Sequence, residues 1–143
     1  MNVNELLELI KKEQPVIVRD KTIQPNKVDE VRMETGESIY WVYTIDELWL
    51  SIDLVSEEVI LFHDIEEEFD ASEESLFYAN DDYEFTFETS ARIIDEDGEE
   101  EPINFRDYEE SEGKVLRIYE NEVSGDVACS VGDKITEEEL QEV

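Results

Sequence analysis

The segment that most constrains the fold of this chain runs from Tyr83 to Ile93, where two classes of side chain alternate without a break. Every second position is polar, and the positions between form a mainly apolar face of Tyr83, Phe85, Phe87, Thr89, Ala91 and Ile93. Successive side chains of a β-strand point to opposite faces of its sheet. The segment therefore predicts a strand with one buried and one solvated face.

Shorter segments with the same period flank this strand and are separated by turn residues. Gly36, Asp97-Gly98 and Ser111–Gly113 mark three turns, and Pro102 is expected to limit pairing just after the second. The predicted strands and hairpin arms are 16–18, 28–33, 38–45, 48–53, 58–65, 83–93, 105–110, 114–121 and 127–131. About eight short strands at this spacing indicate a mainly β fold, either an antiparallel barrel or a sandwich.

The two ends of the chain and one internal stretch depart from this pattern. Apolar residues at helical spacing predict an N-terminal helix within 1–13, capped by Asn2 or Asn4. Residues 66–82 are acidic and aperiodic, which predicts a long loop that could hold a helical turn around 71–77. Thr136 and Glu139 resemble a capping box and predict a short C-terminal helix or frayed tail over 136–143. We expect a single domain over 1–143, with the antiparallel β body in 14–135.

The charge of the chain is extreme but does not replace a core. The 143 residues include 42 Asp and Glu against 11 Lys and Arg, a formal net charge of −31, yet 40% are hydrophobic and 10% aromatic. That composition argues against a disordered acidic tail. It also argues against direct binding to nucleic acid or to anionic membranes, since both require a basic surface.

The acids concentrate in residues 56–143 and predict an interaction surface. Its candidate residues are Glu66, Glu67, Glu68, Asp70, Asp81, Asp82, Glu99, Glu100 and Glu101. Such a surface favours a non-catalytic binding or accessory domain whose partner is a basic protein or a polycation such as a polyamine. Two alternatives stay open: an enzyme with a carboxylate and His63 pocket, and acidity that is only an adaptation to a salty cytoplasm.

The expected compartment is the cytoplasm. The start of the chain lacks a secretory signal, and no apolar run approaches the roughly 20 residues of a membrane span, so no membrane insertion is expected. A single Cys permits no internal disulfide, and one Cys with one His cannot form a zinc site. No cofactor or metal ligand is assigned; the Asp95–Gly98 acids lack the spacing of a calcium-binding loop.

Three groups of residues have a chemical and a structural interpretation. His63 beside Asp64 could act as a general base on Cys129, but it is more simply explained as a surface histidine on a strand. Cys129 shares a face with two valines and is expected in the core. The aromatic residues could floor a ligand cleft but are expected to be core: Tyr40, Trp41, Tyr43, Trp49, Phe85 and Phe87.

From about Tyr40 to Leu140, the order of these segments resembles the family catalogued as domain of unknown function 4178. The resemblance rests on the series Tyr40–Tyr43, Glu47–Ser51, Tyr83–Glu88, Asp97-Gly98 with Pro102, Phe105–Tyr108, Leu116–Glu120 and Gly125–Ile135. The run Glu99–Glu101 departs from it by being more acidic. The resemblance implies a mostly β domain of unknown activity and supplies no catalytic residues.

Overall fold

The structure is a computed structural model that describes all of residues 1–143, and it consists almost entirely of antiparallel strands. One helix, α1, spans Val3–Lys11, and a 3-10 turn spans Glu137–Glu139. The strands are β1 Val16–Val18, β2 Lys21–Ile23, β3 Pro25–Met33, β4 Ser38–Thr44, β5 Leu48–Asp53, β6 Glu58–Ile65, β7 Ser75–Tyr78, β8 Asp81–Ile94, β9 Glu100–Glu109, β10 Val115–Asn121, β11 Val127–Ile135 and β12 Leu140–Glu142.

Eight of these strands close into a barrel. Their order is β3-β4-β5-β6-β11-β10-β9-β8, and β8 pairs with β3 to complete the ring. Strand β7 pairs with β8 as an additional strand. The mainly β prediction is therefore confirmed, and closure decides for a barrel over a sandwich. An eight-stranded barrel encloses a space that side chains can fill or that can hold one small ligand.

The outer face of one side of the barrel is covered by α1 and by a small sheet of order β12-β1-β2. The buried face of α1, which includes Leu6 and Ile10, packs with outward-facing Leu50 and Ile52 of β5. The predicted cap is confirmed, because Asn2 Oδ1 accepts a hydrogen bond from the Glu5 N–H at 2.8 Å. No helix is long and apolar enough to cross a bilayer.

The apolar interior of the barrel forms a second cluster. Its buried residues are Val31, Met33, Ile39, Trp41, Trp49, Ile60, Phe62, Ala91, Ile103, Phe105 and Val115. A third cluster lies on the outer face beneath β7 and the preceding segment, where Leu76, Tyr83 and Tyr108 pack with Cys129. The sheet is thus buried on its inner face and on two separate parts of its outer face.

Strand β8 does not keep the single buried face that its sequence predicts. Phe85 pairs with Tyr108 but Phe87 pairs with Asp107, so a β-bulge places one extra residue between them. Tyr83 therefore packs outside the barrel, whereas Ala91 packs inside it. Phe85 and Phe87 flank the bulge and stay 37% and 42% exposed, which corrects the prediction that both are core.

Three further predictions about local structure are wrong. Residues 75–82 are not loop, because β7 turns at Ala79 and Asn80, both with positive φ, and pairs with the start of β8. Pro102 does not limit pairing, since it lies within β9 in register with Arg92. The C-terminus has only a three-residue 3-10 turn and then joins β1 as strand β12.

Weak local signal explains why β7 was missed, and long-range pairing explains the C-terminal difference. The strand in 75–78 is short, and Leu76 is its single buried residue, so its own sequence carries little periodic signal. The C-terminal turn is held by Arg19, whose guanidinium contacts Glu139 at 2.6 Å and Asp133 at 3.1 Å. Partners more than a hundred residues away cannot be seen in a local pattern.

Candidate functional site

The two open ends of the barrel differ in charge. We call one the acidic end: it is formed by the hairpin loops 45–47, 95–99 and 122–126 and by segment 66–70, which leaves β6 there. These four stretches contain 12 acids and no Lys or Arg. The loops of the opposite end are 34–37, 54–57 and 110–114, with five acids and Lys114. The loops at one end therefore hold more than twice as many acids as the loops at the other.

The structure does not bring the nine predicted surface acids together. Seven of them are at the acidic end: Glu66, Glu67, Glu68, Asp70, Glu99, Glu100 and Glu101. Asp81 and Asp82 begin β8 and lie at the opposite end, where they line a wholly polar groove of about 500 Å³ with Glu84 and Glu109. The predicted interaction surface is thus divided between two ends of the molecule.

The middle of the barrel is crossed by a buried ion pair. Arg117 of β10 donates through Nε and Nη2 to the two oxygens of Asp107, at 2.7 and 2.9 Å, and through Nη1 to Ser51 Oγ at 2.9 Å. Its guanidinium also lies 4.6 Å from the ring centroid of Phe105 and 4.8 Å from that of Phe62. Arg117 lines a cavity on each side, so it separates the two ends of the interior.

The cavity between Arg117 and the acidic end, which we call the inner cavity, has a volume of about 210 Å³ and four aromatic residues in its wall. Its wall includes Trp41, Tyr43, Trp49, Asp64, Tyr119 and Ser130. The Trp49 indole N–H donates to Asp64 at 3.1 Å and to Ser130 Oγ at 3.3 Å. Trp41 is only 2% exposed, and its indole N–H has no hydrogen-bond partner.

A second depression, which we call the outer cavity, adjoins the inner cavity because Tyr43 and Tyr119 line both. It has a volume of about 320 Å³, and Asp29, Glu99 and Glu101 contribute carboxylates to it.

Asp29 is the most buried of these carboxylates, at 3% exposed, and its Oδ1 atom makes no hydrogen bond. The Lys27 ammonium lies 3.5 Å from that atom as an ion pair. Burial raises the pKa of Asp29 above its ordinary value, partly offset by Lys27. Burial also raises the pKa of Tyr43, and the Asp29 charge adds to the shift, so the phenol stays neutral.

The cavity at the opposite end has a different character. It has a volume of about 370 Å³ and includes both Arg117 and Lys134 in its wall. The Lys134 ammonium pairs with Glu109 and lies 3.7 Å from Glu58. Both basic residues of this cavity are therefore paired with carboxylates of the chain, and its wall still has five acids against two bases.

The residues of the enzyme hypothesis lie on two faces of the sheet. His63 is exposed and pairs in register with Leu48 and Val131, which face the outside of the barrel, whereas Asp64 faces the inner cavity. Cys129 is buried in the outer cluster, as predicted, and burial raises the pKa of its thiol. A raised pKa disfavours the nucleophilic thiolate.

The remaining candidates have mixed outcomes. Trp41 and Trp49 are core residues as predicted, and they also line the inner cavity. Tyr40 packs partly buried against the cluster beneath α1. No group of three or more His, Cys, Asp or Glu residues is arranged to hold a metal ion.

The interior polar residues were missed by the sequence analysis, although a signal existed. Around the predicted turn Ser111–Gly113, simple counting places Asp107 opposite Arg117, and the structure has this register. Counting around the Gly36 turn does not give the register of Asp29, which lies opposite Trp41 because the hairpin is centred on Thr35. What counting cannot supply is the face of the sheet that points into the barrel.

Compared with protein families, with curated proteins and with solved structures, the chain matches none. Its resemblance to domain of unknown function 4178 stays a prediction. The function must therefore be argued from the geometry of the acidic end.

Proposed function

We propose that this protein is a non-catalytic binding domain that takes a cationic partner, a basic protein surface or a small polycation, at the acidic end of its barrel. The observation that carries the proposal is the asymmetry of the loops, with 12 acids and no Lys or Arg around an open aromatic cavity. A surface charged with one sign attracts its partner over several ångströms and raises the association rate.

A cytoplasmic binding role, without nucleic acid as a direct partner, fits this charge. Every loop of the acidic end would repel phosphate groups. Ammonium and guanidinium groups would instead reduce the repulsion among the carboxylates. The attraction acts over the Debye length, which is about 10 Å at 0.1 M salt. Binding should therefore weaken steeply as salt rises.

The non-catalytic part of the proposal is supported by the positions of the candidate catalytic groups. His63 lies outside the barrel and Asp64 inside it, so the carboxylate cannot orient the imidazole. The carboxylates of the outer cavity offer hydrogen-bond acceptors and negative charge, which suit binding of a cation.

The test compares two variants with equal changes in net charge. The first neutralises the acidic end with Asp46→Asn, Glu47→Gln, Asp97→Asn and Glu99→Gln. The control neutralises the opposite end with Glu34→Gln, Glu37→Gln, Glu57→Gln and Glu112→Gln. Affinity for a fluorescent oligolysine peptide is measured by anisotropy at several salt concentrations. We expect the affinity of the first variant for the peptide to fall about tenfold or more, and that of the control to fall less than about threefold.

Equal losses in both variants would show that only net charge matters and would refute a specific acidic end. Absence of any oligolysine binding at low salt would refute the cationic partner altogether. Adaptation to a salty cytoplasm predicts this second result, together with stability that rises with salt.

A further inference from the structure

Two buried polar atoms at the acidic end make no hydrogen bond, and they belong to neighbouring residues. Asp29 of β3 and Trp41 of β4 are directly opposite each other in the sheet, so their β-carbons lie about 5 Å apart. Asp29 Oδ1 accepts no hydrogen bond and has only the Lys27 ammonium, at 3.5 Å, as an ion-pair partner, and the Trp41 indole N–H is a donor without an acceptor. Both residues are more than nine-tenths buried.

Unpaired buried polar atoms are unfavourable, and native structures rarely keep them without a reason. Here the pair lies where the inner and outer cavities adjoin, since Asp29 lines the outer and Trp41 the inner one. A single small molecule at that junction could supply a donor to Asp29 and an acceptor to Trp41.

We infer that this junction binds a small organic ammonium compound that carries a neutral hydrogen-bond acceptor, such as an amino alcohol, with its nitrogen on Asp29 and its oxygen on the Trp41 indole N–H. The inference rests on the proposed function, because it names the class of cation that the acidic end admits into the barrel.

The surroundings of Asp29 already accommodate an ammonium group. The Lys27 ammonium lies 3.5 Å from Asp29 Oδ1 and 5.8 Å from the ring centroid of Tyr43. A cation near a buried carboxylate and a tyrosine ring gains both Coulomb and cation–π energy. The Lys27 side chain is half exposed and does not complete a hydrogen bond, so a ligand can replace its ammonium.

The acceptor that meets Trp41 should be neutral. Asp64 lines the inner cavity and Glu101 the outer one, so a carboxylate on the ligand would meet like charge on both sides. Arg117 does not offset this, because its guanidinium is bound to Asp107 and Ser51. A hydroxyl oxygen accepts from the indole without adding charge.

The experiment is an NMR titration of the whole protein that follows the indole N–H signals of Trp41 and Trp49. The probes are 2-aminoethanol and 3-aminopropan-1-ol, with propylamine as the control without oxygen and β-alanine as the control with a carboxylate. We expect the amino alcohols to shift the Trp41 signal, propylamine to bind about tenfold more weakly and β-alanine not to bind.

Three variants locate the site. Asp29→Asn should weaken amino-alcohol binding about tenfold, and Trp41→Phe should abolish the preference for amino alcohols over propylamine. Lys27→Met should tighten binding about threefold, because the internal competitor is removed, whereas a purely structural Lys27 would leave affinity unchanged. If Trp41→Phe fails to fold, the shift of the Trp41 signal in the wild type and the affinity of Lys27→Met still test the inference.

If only water occupies the junction, no amine will give a saturable shift of the Trp41 signal. That result would overturn the inference. So would equal binding of Asp29→Asn and wild type. Neither result bears on oligolysine binding at the acidic end, which tests the proposed function separately. Loss of oligolysine binding with intact amino-alcohol binding would refute the macromolecular partner and retain the small-ligand site.

Discussion

At the scale of single residues, Arg117 organises the barrel interior. Its bonds to Asp107 and Ser51 join strands β10, β9 and β5, and its flat guanidinium packs against interior aromatic rings. Desolvating two charges is costly, and the attraction repays it only when geometry and hydrogen bonds are good. The pair therefore contributes more to the specific arrangement of the interior than to net stability.

Substitution of Arg117 tests this role. Arg117→Met should lower the free energy of unfolding by about 3–5 kcal/mol, because Asp107 is left as a buried, unpaired charge. The double variant Arg117→Met with Asp107→Leu should recover most of that loss. Urea denaturation measures both values.

The matched control is Lys134→Met, since Lys134 also faces a barrel cavity but is exposed enough for solvent to screen its ion pairs. The free energy of unfolding of Lys134→Met should be lower than that of the wild type by less than about 1 kcal/mol. Equal losses in Arg117→Met and Lys134→Met would contradict a central role for the buried pair.

At the scale of elements, the small sheet of β12, β1 and β2 depends on contacts between the two ends of the chain. Arg19 has a positive φ of 47° and lies in the turn between β1 and β2, where it binds Glu139 of the C-terminal turn. Glu139 also accepts a hydrogen bond from the Thr136 N–H at 3.1 Å. These bonds place β12 on the free edge of β1.

The pH dependence of stability should report this contact. The Arg19 hydrogen bond, with the bond from Thr136, lowers the pKa of Glu139 from 4.5 to about 2. Since the folded-state pKa is lowered, Glu139 stabilises the fold above pH 4.5, and this contribution is lost as the pH falls towards 2. Glu139→Gln should cost about 0.5–1 kcal/mol at pH 7, given the exposure of Arg19, and almost nothing at pH 2.

Denaturation of the variant and the wild type across this pH range gives the difference profile. Glu138→Gln is the control, because Glu138 is an exposed neighbour that makes no ion pair with Arg19, and its profile should be flat. If the difference in free energy of unfolding between Glu139→Gln and the wild type is the same at pH 7 and pH 2, the charge of Glu139 does not contribute to stability.

At the scale of the whole molecule, two features coexist: a closed barrel with three apolar clusters and a net charge of −31. Closure through four residue pairs between β3 and β8 leaves the barrel with less free edge than an open sheet would have. The charge is carried by loops and by solvated positions, so it opposes folding through repulsion but does not interrupt the core.

Monovalent salt should therefore stabilise the protein. Raising NaCl from 0.1 to 1 M shortens the Debye length from about 10 to about 3 Å and should raise the Tm by several degrees. A variant that combines the substitutions at both barrel ends has eight fewer negative charges, and its Tm should rise less over the same range. Equal shifts in calorimetry for both proteins would mean that salt acts through the core and not through the acids.

Much of the local structure could be predicted from sequence, because it depends on neighbours. Helix α1, the hairpins around Gly36 and Ser111–Gly113, and the polarity of each strand follow from periodicity and turn residues. Strand β7 and β12 could not, since each is short and is defined by a partner strand. The sequence did not predict the bulge near Phe85, because polar and apolar residues alternate regularly through that part of β8.

The candidate site shows the same division. The sequence by itself determined the acidity, the aromatic strands and the hairpin register that places Asp107 beside Arg117. Only the tertiary structure decided that β3 meets β8, which makes one face of every strand an interior and gathers the most acidic loops at one end. Closure brings together residues far apart in the chain, and a local pattern carries no information about such contacts.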